Sequence, residues 1–226
     1  MTAPTLTEAP STPAPPRRGR PRKAPESVAR HDDRRDEILR TAAQLFATRG
    51  YEATSLDHIA EQLGMHKATL YHYIRSKHEV LYECLVKSFS DLDEVIEQMH
   101  DHSVPVVQRL RRFALALARA QNNDFGRCQV LVGSRPLEDL SGQGIRAFQR
   151  RLDQTVRTLV EEGIQRGELR AHAPGMVSAM LFGTLNWVPQ WYRPQGRLTL
   201  EQIVEEFLDM LTQGIALPPV AGAARD

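Results

Sequence analysis

The stretch from Thr54 to Lys77 constrains the fold more than any other part of this 226-residue chain. It opens with Ser55, whose hydroxyl suits the N-terminal cap of a helix, and its first half ends at Gly64, which tolerates the backbone of a sharp helix end. The apolar residues in between recur at the spacing of one helical face: Leu56, Ile59, Ala60 and Leu63. The pattern predicts a short helix that stops at Gly64.

A second short helix is predicted from His66 to about Ile74. Leu70, Tyr73 and Ile74 fall on one side when each position advances by about 100°, and we expect that side to be buried. The opposite side carries cations, hydroxyls, one phenol and one small residue: Lys67, Ala68, Thr69, Tyr71, His72 and Arg75. Side chains of these types on an exposed helix suit the floor of a DNA major groove.

Two longer helices are predicted to flank this pair. Apolar residues from Ile38 to Phe46 follow helical spacing and predict a supporting helix from about Asp33 to Arg49. On the other side, Ser76 and Glu79 have the spacing of a capping box, which predicts the start of one long helix that runs to about His100. Lys77 lies in its first turn, where we expect it and the free backbone amides to meet a phosphate.

The same residues carry a family resemblance. The segments Thr54-Ser55-Leu56, Ile59-Ala60, Leu63-Gly64-Met65, Lys67 to Tyr71 and Ser76-Lys77 resemble the signature of TetR/AcrR-family transcriptional regulators. The resemblance extends from Asp36 to Leu81, and a helical hairpin without a DNA function is the alternative. It implies an all-α fold of about nine helices, in which a three-helix DNA-binding domain with a helix-turn-helix precedes a helical ligand-binding and dimerisation domain. It also implies DNA contacts from Thr54, Ser55, Lys67, Ala68, Thr69, Tyr71, His72 and Lys77.

The first 30 residues form a basic arm rich in Pro, Ala, Thr and Ser, which we expect to be disordered in the free protein. Residues 17–35 hold eight Lys/Arg against three Asp/Glu. Arg18 and Arg20 belong to an R-G-R-P segment that resembles the core of an AT-hook, in which arginines enter a narrow minor groove. The alternative is a basic tail that attracts phosphates without sequence preference.

Composition and motifs exclude several classes of protein. The chain is 41% hydrophobic and 25% charged with a net charge of +1, which is ordinary for a globular protein, and it contains no long apolar span. We therefore expect a cytoplasmic protein that does not enter a membrane. Cys84 and Cys128 are expected to be small buried residues rather than metal ligands or thiol sensors. No nucleophile elbow, zinc-protease motif or phosphate-binding loop is present, so we expect neither an enzyme nor a cofactor or metal.

The remaining sequence, 104–215, predicts five further helices. The two that end the chain, at 174–191 and 199–214, are more apolar than a monomer needs. In the resembled family the last two helices form the dimer, which here implies an interface at Ala179, Gly183, Trp187, Phe207 and Leu211. We divide the chain into a basic arm at 1–30, a DNA-binding domain at 31–78, a ligand-binding and dimerisation domain at 79–216, and a loose tail at 217–226.

A second resemblance concerns the ligand. Residues 185–198 resemble a branch of the family whose members respond to acyl-CoA or lipid-derived ligands. Candidate pocket residues are large and apolar, and ordinary core packing is the alternative for each of them: Phe113, Leu117, Leu131, Phe148, Leu152 and Trp187. The resemblance implies a homodimeric repressor that binds palindromic double-stranded DNA and is released by a small apolar effector such as an acyl-CoA or a fatty acid. The alternative is an architectural or non-specific DNA-binding protein that uses its basic arm.

Overall fold

The computed structural model describes residues 25–90, 92–133, 135–137 and 140–214. Over these ranges the chain forms ten α-helices and one short 3₁₀ turn without any strand, which confirms the all-α prediction. The helices are α1 Pro25–Arg49, α2 Leu56–Gln62, α3 Lys67–Leu70, α4 Lys77–Ser88, α5 Leu92–Gln98, α6 Val106–Asn122, α7 Asp124–Val132, α8 Leu140–Gln165, α9 Pro174–Trp191 and α10 Leu200–Gln213, with the 3₁₀ turn at Arg135–Leu137.

The helices bury two apolar cores. The first core joins α1 to α4 through buried residues such as Ile38, Phe46 and Leu70, and we call this part of the molecule the head. The second core joins α5, α6, α8, α9 and α10, and we call this part the body. The head core also contains Cys128 of α7 and Ile145 of α8. The boundary predicted between 78 and 79 is therefore not a gap in packing, because α7 lies directly against α1 and α4.

The first helix is longer than the spacing of its apolar residues predicts. It begins at Pro25, within the predicted arm, rather than near Asp33. Its early turns are anchored by polar and aromatic contacts that periodicity does not register: the ring of His31 stacks on Tyr73 at 4.7 Å, and Arg35 donates a hydrogen bond to the carbonyl oxygen of Tyr73. Arg35 also forms ion pairs with Glu79 and Glu83 of α4. One arginine thus links α1, the turns that follow α3, and α4.

The prediction of a single helix from Ser76 to His100 is wrong, because α4 ends at Ser88 and a separate helix, α5, begins at Leu92. The buried residues of α4 belong to the head core, whereas those of α5 belong to the body core. A straight helix could not direct one apolar face into both cores. Phe89 caps the C-terminus of α4 and packs against both of them.

A buried cation fixes the connection between α5 and α6. Arg109 is fully buried and donates hydrogen bonds to the carbonyl oxygens of Met99 (2.7 Å) and Val104 (3.0 Å). It also pairs with Glu162 of α8, and this hydrogen bond is the main reason that the pKa of Glu162 falls to about 2. Burying this guanidinium is tolerated because it is paired and its donors are satisfied. The α5–α6 loop is therefore attached to α8.

Both cysteines are buried, as predicted. Cys84 and Cys128 lie in the head core with no exposed surface, and the Cys84 thiol lies 3.4 Å from the carbonyl oxygen of Leu39. Burial raises the pKa of Cys84 well above its usual value and that of Cys128 to about 12, so neither thiol ionises near neutral pH. Among the described helices, none has the length and apolar content needed to cross a bilayer.

Candidate DNA-reading face and ligand cavity

Local capping sets the geometry of α2. The Ser55 hydroxyl accepts a hydrogen bond from the backbone amide of His58 at 3.2 Å, and the His58 ring accepts one from the backbone amide of Ser55 at 3.3 Å. At the other end, Gly64 has φ +61°, a left-handed backbone conformation that L side chains rarely adopt. The predicted start and stop of this helix are confirmed.

The second helix of the pair is shorter than predicted. Regular α-helix covers only Lys67–Leu70, and hydrogen-bonded turns continue to Ile74. Leu70 and Ile74 are buried in the head core and anchor the segment. The side chains predicted to meet DNA from this segment are all exposed: Lys67, Ala68, Thr69, Tyr71 and His72. We call these five residues the reading face.

The main cation of the reading face is already paired in the free chain. The Lys67 amine lies 2.7 Å from a carboxylate oxygen of Asp57 in α2, so the ion pair spans the turn between the two helices. The hydrogen bond to Asp57 raises the pKa of Lys67. Lys67 therefore stays charged, and a DNA phosphate would have to compete with Asp57 for it.

Two residues expected to contact DNA are engaged in contacts within the head. Thr54 is 1% exposed and donates its hydroxyl hydrogen bond to the carbonyl oxygen of Gly50 at 2.8 Å. Lys77 is half-buried, donates to the carbonyl oxygen of Tyr51 at 2.9 Å, and lies 4.1 Å from the centre of the Tyr51 ring. Both side chains attach the reading helices to the end of α1. The sequence pattern missed this because it shows which end of a helix a residue occupies, not what lies opposite.

The remaining DNA candidates differ in accessibility. The Ser55 hydroxyl is engaged as the cap of α2, so a DNA contact from this residue would have to share that oxygen. Arg75, which was predicted to lie on the same outer side, follows the reading face and is exposed. Arg18 and Arg20 lie outside the described residues, so their predicted entry into a minor groove stays a prediction.

A cavity of about 290 Å³ lies at the junction of the head and the body. Its lining comes from the end of α4 and from α6, α7, α8 and α9: Phe89, Leu117, Gln121, Gln129, Gln149, Leu152, Asp153, Ala179, Phe182 and Asn186. We call it the inner cavity. Its volume is at the small end of the range for small-molecule sites, and its wall is half apolar and half polar.

The predicted pocket residues divide into three groups around this cavity. Leu117 and Leu152 line it. Phe113 and Phe148 lie one layer behind it, packed against the lining residues Phe182 and Phe89 at ring distances of 6.2 and 4.7 Å. The other two predicted pocket residues lie elsewhere.

Leu131 and Trp187 were predicted to line the pocket, but neither residue lines the inner cavity. Leu131 lines a surface cleft beside Tyr51 of the head, and Trp187 is 64% exposed on α9. Both sit in apolar helical patterns, but on a face directed away from the cavity. Periodicity identifies the apolar faces of a helix and does not say which of them encloses a void.

Sequence reasoning also missed the polar half of the wall. Gln121 is 6% exposed, donates to the Asn186 amide oxygen at 2.5 Å, and its own oxygen has no partner among the described residues. Asp153 accepts hydrogen bonds from buried Ser178 at 2.5 Å and from Arg157 at 2.8 Å. The sequence does contain a signal that Gln121 faces inward, since it follows Phe113 and Leu117 at four-residue spacing.

The α9 helix also exposes a continuous apolar surface. Met176, Met180 and Trp187 are each more than half exposed, and Trp191 is 44% exposed. A Cβ added at Gly183, in the middle of this surface, would meet no atom within 4 Å. Beside it, a groove of about 420 Å³ runs between α9 and α10 and is lined in part by Phe207, Met210 and Leu211. We call this surface the apolar face.

The apolar face includes most of the predicted dimer contacts. Gly183 and Trp187 are exposed on it, Phe207 and Leu211 are half-buried beside the groove, and Ala179 is exposed nearby on α9. An exposed apolar patch of this extent is uncommon on a monomer and marks an interaction surface. Whether a second chain covers it stays a prediction here.

Two family models match the chain. The model described as "Bacterial regulatory proteins, tetR family" matches residues 38–84, and the model described as "Tetracyclin repressor-like, C-terminal domain" matches residues 103–215. The first match covers the head from within α1 to α4. The second covers the body from the α5–α6 loop to the end of α10.

The similarity to individual relatives extends over nearly the whole length of each relative. The transcriptional repressor KstR2 of Mycolicibacterium smegmatis is 27% identical over 197 residues, which is 85% of this chain and 95% of the relative. The solved structure of the regulator PfmR from Thermus thermophilus is 31% identical, covers 80% of this chain and 100% of its own, and has a TM-score of 0.72. The structure of AibR with isovaleryl coenzyme A and operator DNA is 27% identical, covers 79% and 98%, and has a TM-score of 0.71.

Proposed function

The chain belongs to the TetR family of bacterial transcriptional regulators, and from that membership we propose that this DNA-binding protein is a homodimeric repressor released by a small effector with an apolar part. The observation that carries the proposal is the position of Phe89. This residue packs against the head core and the body core, and it also lines the inner cavity. A ligand in the cavity would therefore touch the end of α4, the helix that follows the reading face and packs in the head core.

DNA recognition is assigned to the reading face. Its five residues are exposed, and the buried anchors Leu70 and Ile74 hold them on a capped and tightly packed head. A hydroxyl, a phenol, an imidazole and an amine offer donors and acceptors to base edges and phosphates, while Ala68 allows close approach. The relative AibR is described in complex with operator DNA, which supports the same use of the head in this chain.

Dimerisation is assigned to the apolar face of α9 and α10. A two-fold axis through this surface would bury Met180, Trp187 and the α9–α10 groove against the same elements of a second chain. It would also set two reading faces at a fixed separation, so that each enters one major groove of a palindrome. Half-site centres about 34–36 Å apart correspond to one turn of DNA.

The effector is assigned to the inner cavity. Coupling requires that the ligand bind one arrangement of the two heads better than the other. Two residues of the cavity wall connect a bound ligand to the head. Phe89 ends α4, and Gln129 belongs to α7, which packs against α1. Isovaleryl coenzyme A bound to AibR supports acyl-CoA compounds as the first class to examine, with fatty acids as the second.

The test is a selection of duplex DNA from a random pool by the full-length protein at physiological salt. We expect one short palindrome, protected as two half-sites, and release of that DNA by an acyl-CoA or another ligand with an apolar part. Phe89→Ala is expected to keep DNA binding and lose the release, because the cavity no longer contacts the end of α4. Uniform coating of DNA without a preferred site would instead favour an architectural protein.

A further inference from the structure

The inner cavity contains a polar group that the fold leaves unsatisfied. Gln121 is only 6% exposed. Its amide nitrogen donates a hydrogen bond to the amide oxygen of Asn186, and its own amide oxygen has no partner among the described residues. A buried acceptor without a donor is costly, and such groups in native proteins call for an explanation. A ligand that donates a hydrogen bond would supply the missing partner, because Gln121 forms part of the cavity wall.

The neighbouring charge in the cavity points to the same preference. Asp153 lines the cavity, and a carboxylate accepts hydrogen bonds whichever way it is rotated. Its oxygens already receive hydrogen bonds from Ser178 and Arg157, which hold it in place. The carboxylate of Asp153 and the side chain of Gln121, whose buried amide oxygen lacks a partner among the described residues, thus belong to the same wall. A hydrogen-bond donor fits this environment, whereas a second carboxylate would be repelled.

The apolar half of the wall defines the rest of the ligand. Phe89, Leu117, Leu152 and Phe182 form a surface that suits an alkyl chain or another hydrocarbon body. The cavity volume of about 290 Å³ admits only a short body. A matching ligand is therefore short, apolar along most of its length and polar at one end.

We propose that the inner cavity selects a neutral ligand with an apolar body and a hydrogen-bond-donating head, a hydroxyl or an amide N–H, which donates to Gln121, and that it disfavours a free carboxylate. The inference rests on the proposed ligand-responsive function and narrows its effector class. It favours alcohols and carboxamides over free fatty acids.

The test uses four probes built on the same eight-carbon chain that differ only at the head: octan-1-ol, octanamide, methyl octanoate and octanoate. Binding to the full-length protein is measured by calorimetry at neutral pH, without DNA. We expect the alcohol and the amide to bind about tenfold more tightly than the ester, since they satisfy a buried acceptor that the ester leaves unpaired. Octanoate is expected to bind most weakly. Equal affinity of all four probes, or tightest binding of octanoate, would overturn the proposal.

Variants then assign the preference to residues. Gln121→Leu should remove the advantage of octan-1-ol over methyl octanoate, whereas Gln108→Leu, the same change at an exposed position of α6, should leave it intact. Asp153→Asn keeps an acceptor for Ser178 and removes the charge, so it should improve octanoate binding. If Gln121→Leu fails to fold, the wild-type ranking and Asp153→Asn still decide the matter.

Operator binding, measured on the same preparation, separates this inference from the function on which it rests. Protein that binds a palindrome but none of the four probes would refute the donor preference and leave the DNA-binding function in place. Protein that shows the expected ranking but selects no DNA site would refute the repressor proposal and leave the chemistry of the cavity in place.

Discussion

The reading face and the apolar face are both exposed, yet the chain builds them in opposite ways. The reading face is a short polar segment held by two buried anchors, Leu70 and Ile74, and its cation Lys67 is paired with Asp57. The apolar face is a long helix with Met176, Met180 and Trp187 exposed and with no side chain above Gly183. Exposure alone therefore does not indicate the partner. The polar surface suits DNA, and the apolar surface suits another protein surface.

The largest effect is expected from breaking the apolar face. Gly183→Arg should fold, because a Cβ at this position meets no atom of its own chain. It should yield monomers, since a long cation would lie in an apolar contact between two chains. Loss of the second half-site removes avidity, so operator affinity should fall by about 10²- to 10⁴-fold. Sedimentation and DNA binding of the variant measure both effects.

The matched control is Gly144→Arg, the same change at an exposed glycine of α8 that also has open space around it. It should remain dimeric and keep its affinity for DNA. A Gly183→Arg protein that stays dimeric, or a monomer that binds the operator as the wild type does, would contradict the assignment of the apolar face.

The next largest effect concerns the basic arm as a supplement to the reading face. Deleting residues 1–23 removes five Lys/Arg and should weaken DNA binding while leaving the preferred palindrome unchanged. The slope of log affinity against log salt should become shallower by up to about 4.5, because each neutralised phosphate contributes about 0.9. An unchanged slope would show that the arm does not touch DNA. If Arg18→Ala and Arg20→Ala together abolish only a preference for A·T-rich flanks, the minor-groove prediction gains.

A third comparison separates the two lysines of the head. Lys77→Ala should lower the free energy of unfolding by about 1–2 kcal/mol, because it removes a charged hydrogen bond to the Tyr51 carbonyl and a cation–π contact with the Tyr51 ring. Lys67→Ala should leave thermal unfolding unchanged and weaken DNA binding, since Lys67 is exposed on the reading face. If Lys77→Ala were as stable as the wild type, the contacts with Tyr51 would not stabilise the head, and Lys77 would again be a candidate for contact with a DNA phosphate.

The smallest expected effect comes from releasing Lys67. Asp57→Asn removes the carboxylate that competes with DNA for this amine, so operator affinity should rise by about two- to fivefold. Loss of any negative charge near DNA also favours binding, and Glu61→Gln, at another exposed position of α2, measures that general contribution. Equal gains from the two variants would show that the Lys67–Asp57 pair does not restrain the reading face.

Several features were determined by the sequence alone because they depend on local chemistry. Ser55 and Gly64 bound α2, and the interval 174–191 is a single helix. The apolar spacing of Leu70 and Ile74 also identified the anchored side of the reading segment. Capping and periodicity act over a few residues, so they can be read without knowing what the helix packs against.

Tertiary structure alone decided the features that depend on a distant neighbour. The break near Phe89 arises because α4 and α5 serve different cores, and Lys77 is occupied because Tyr51 lies opposite it. Trp187 is exposed and Gln121 is enclosed, although both lie in apolar helical patterns. Which apolar face encloses a cavity depends on where the other helices lie, and this is set by packing between residues far apart in the chain.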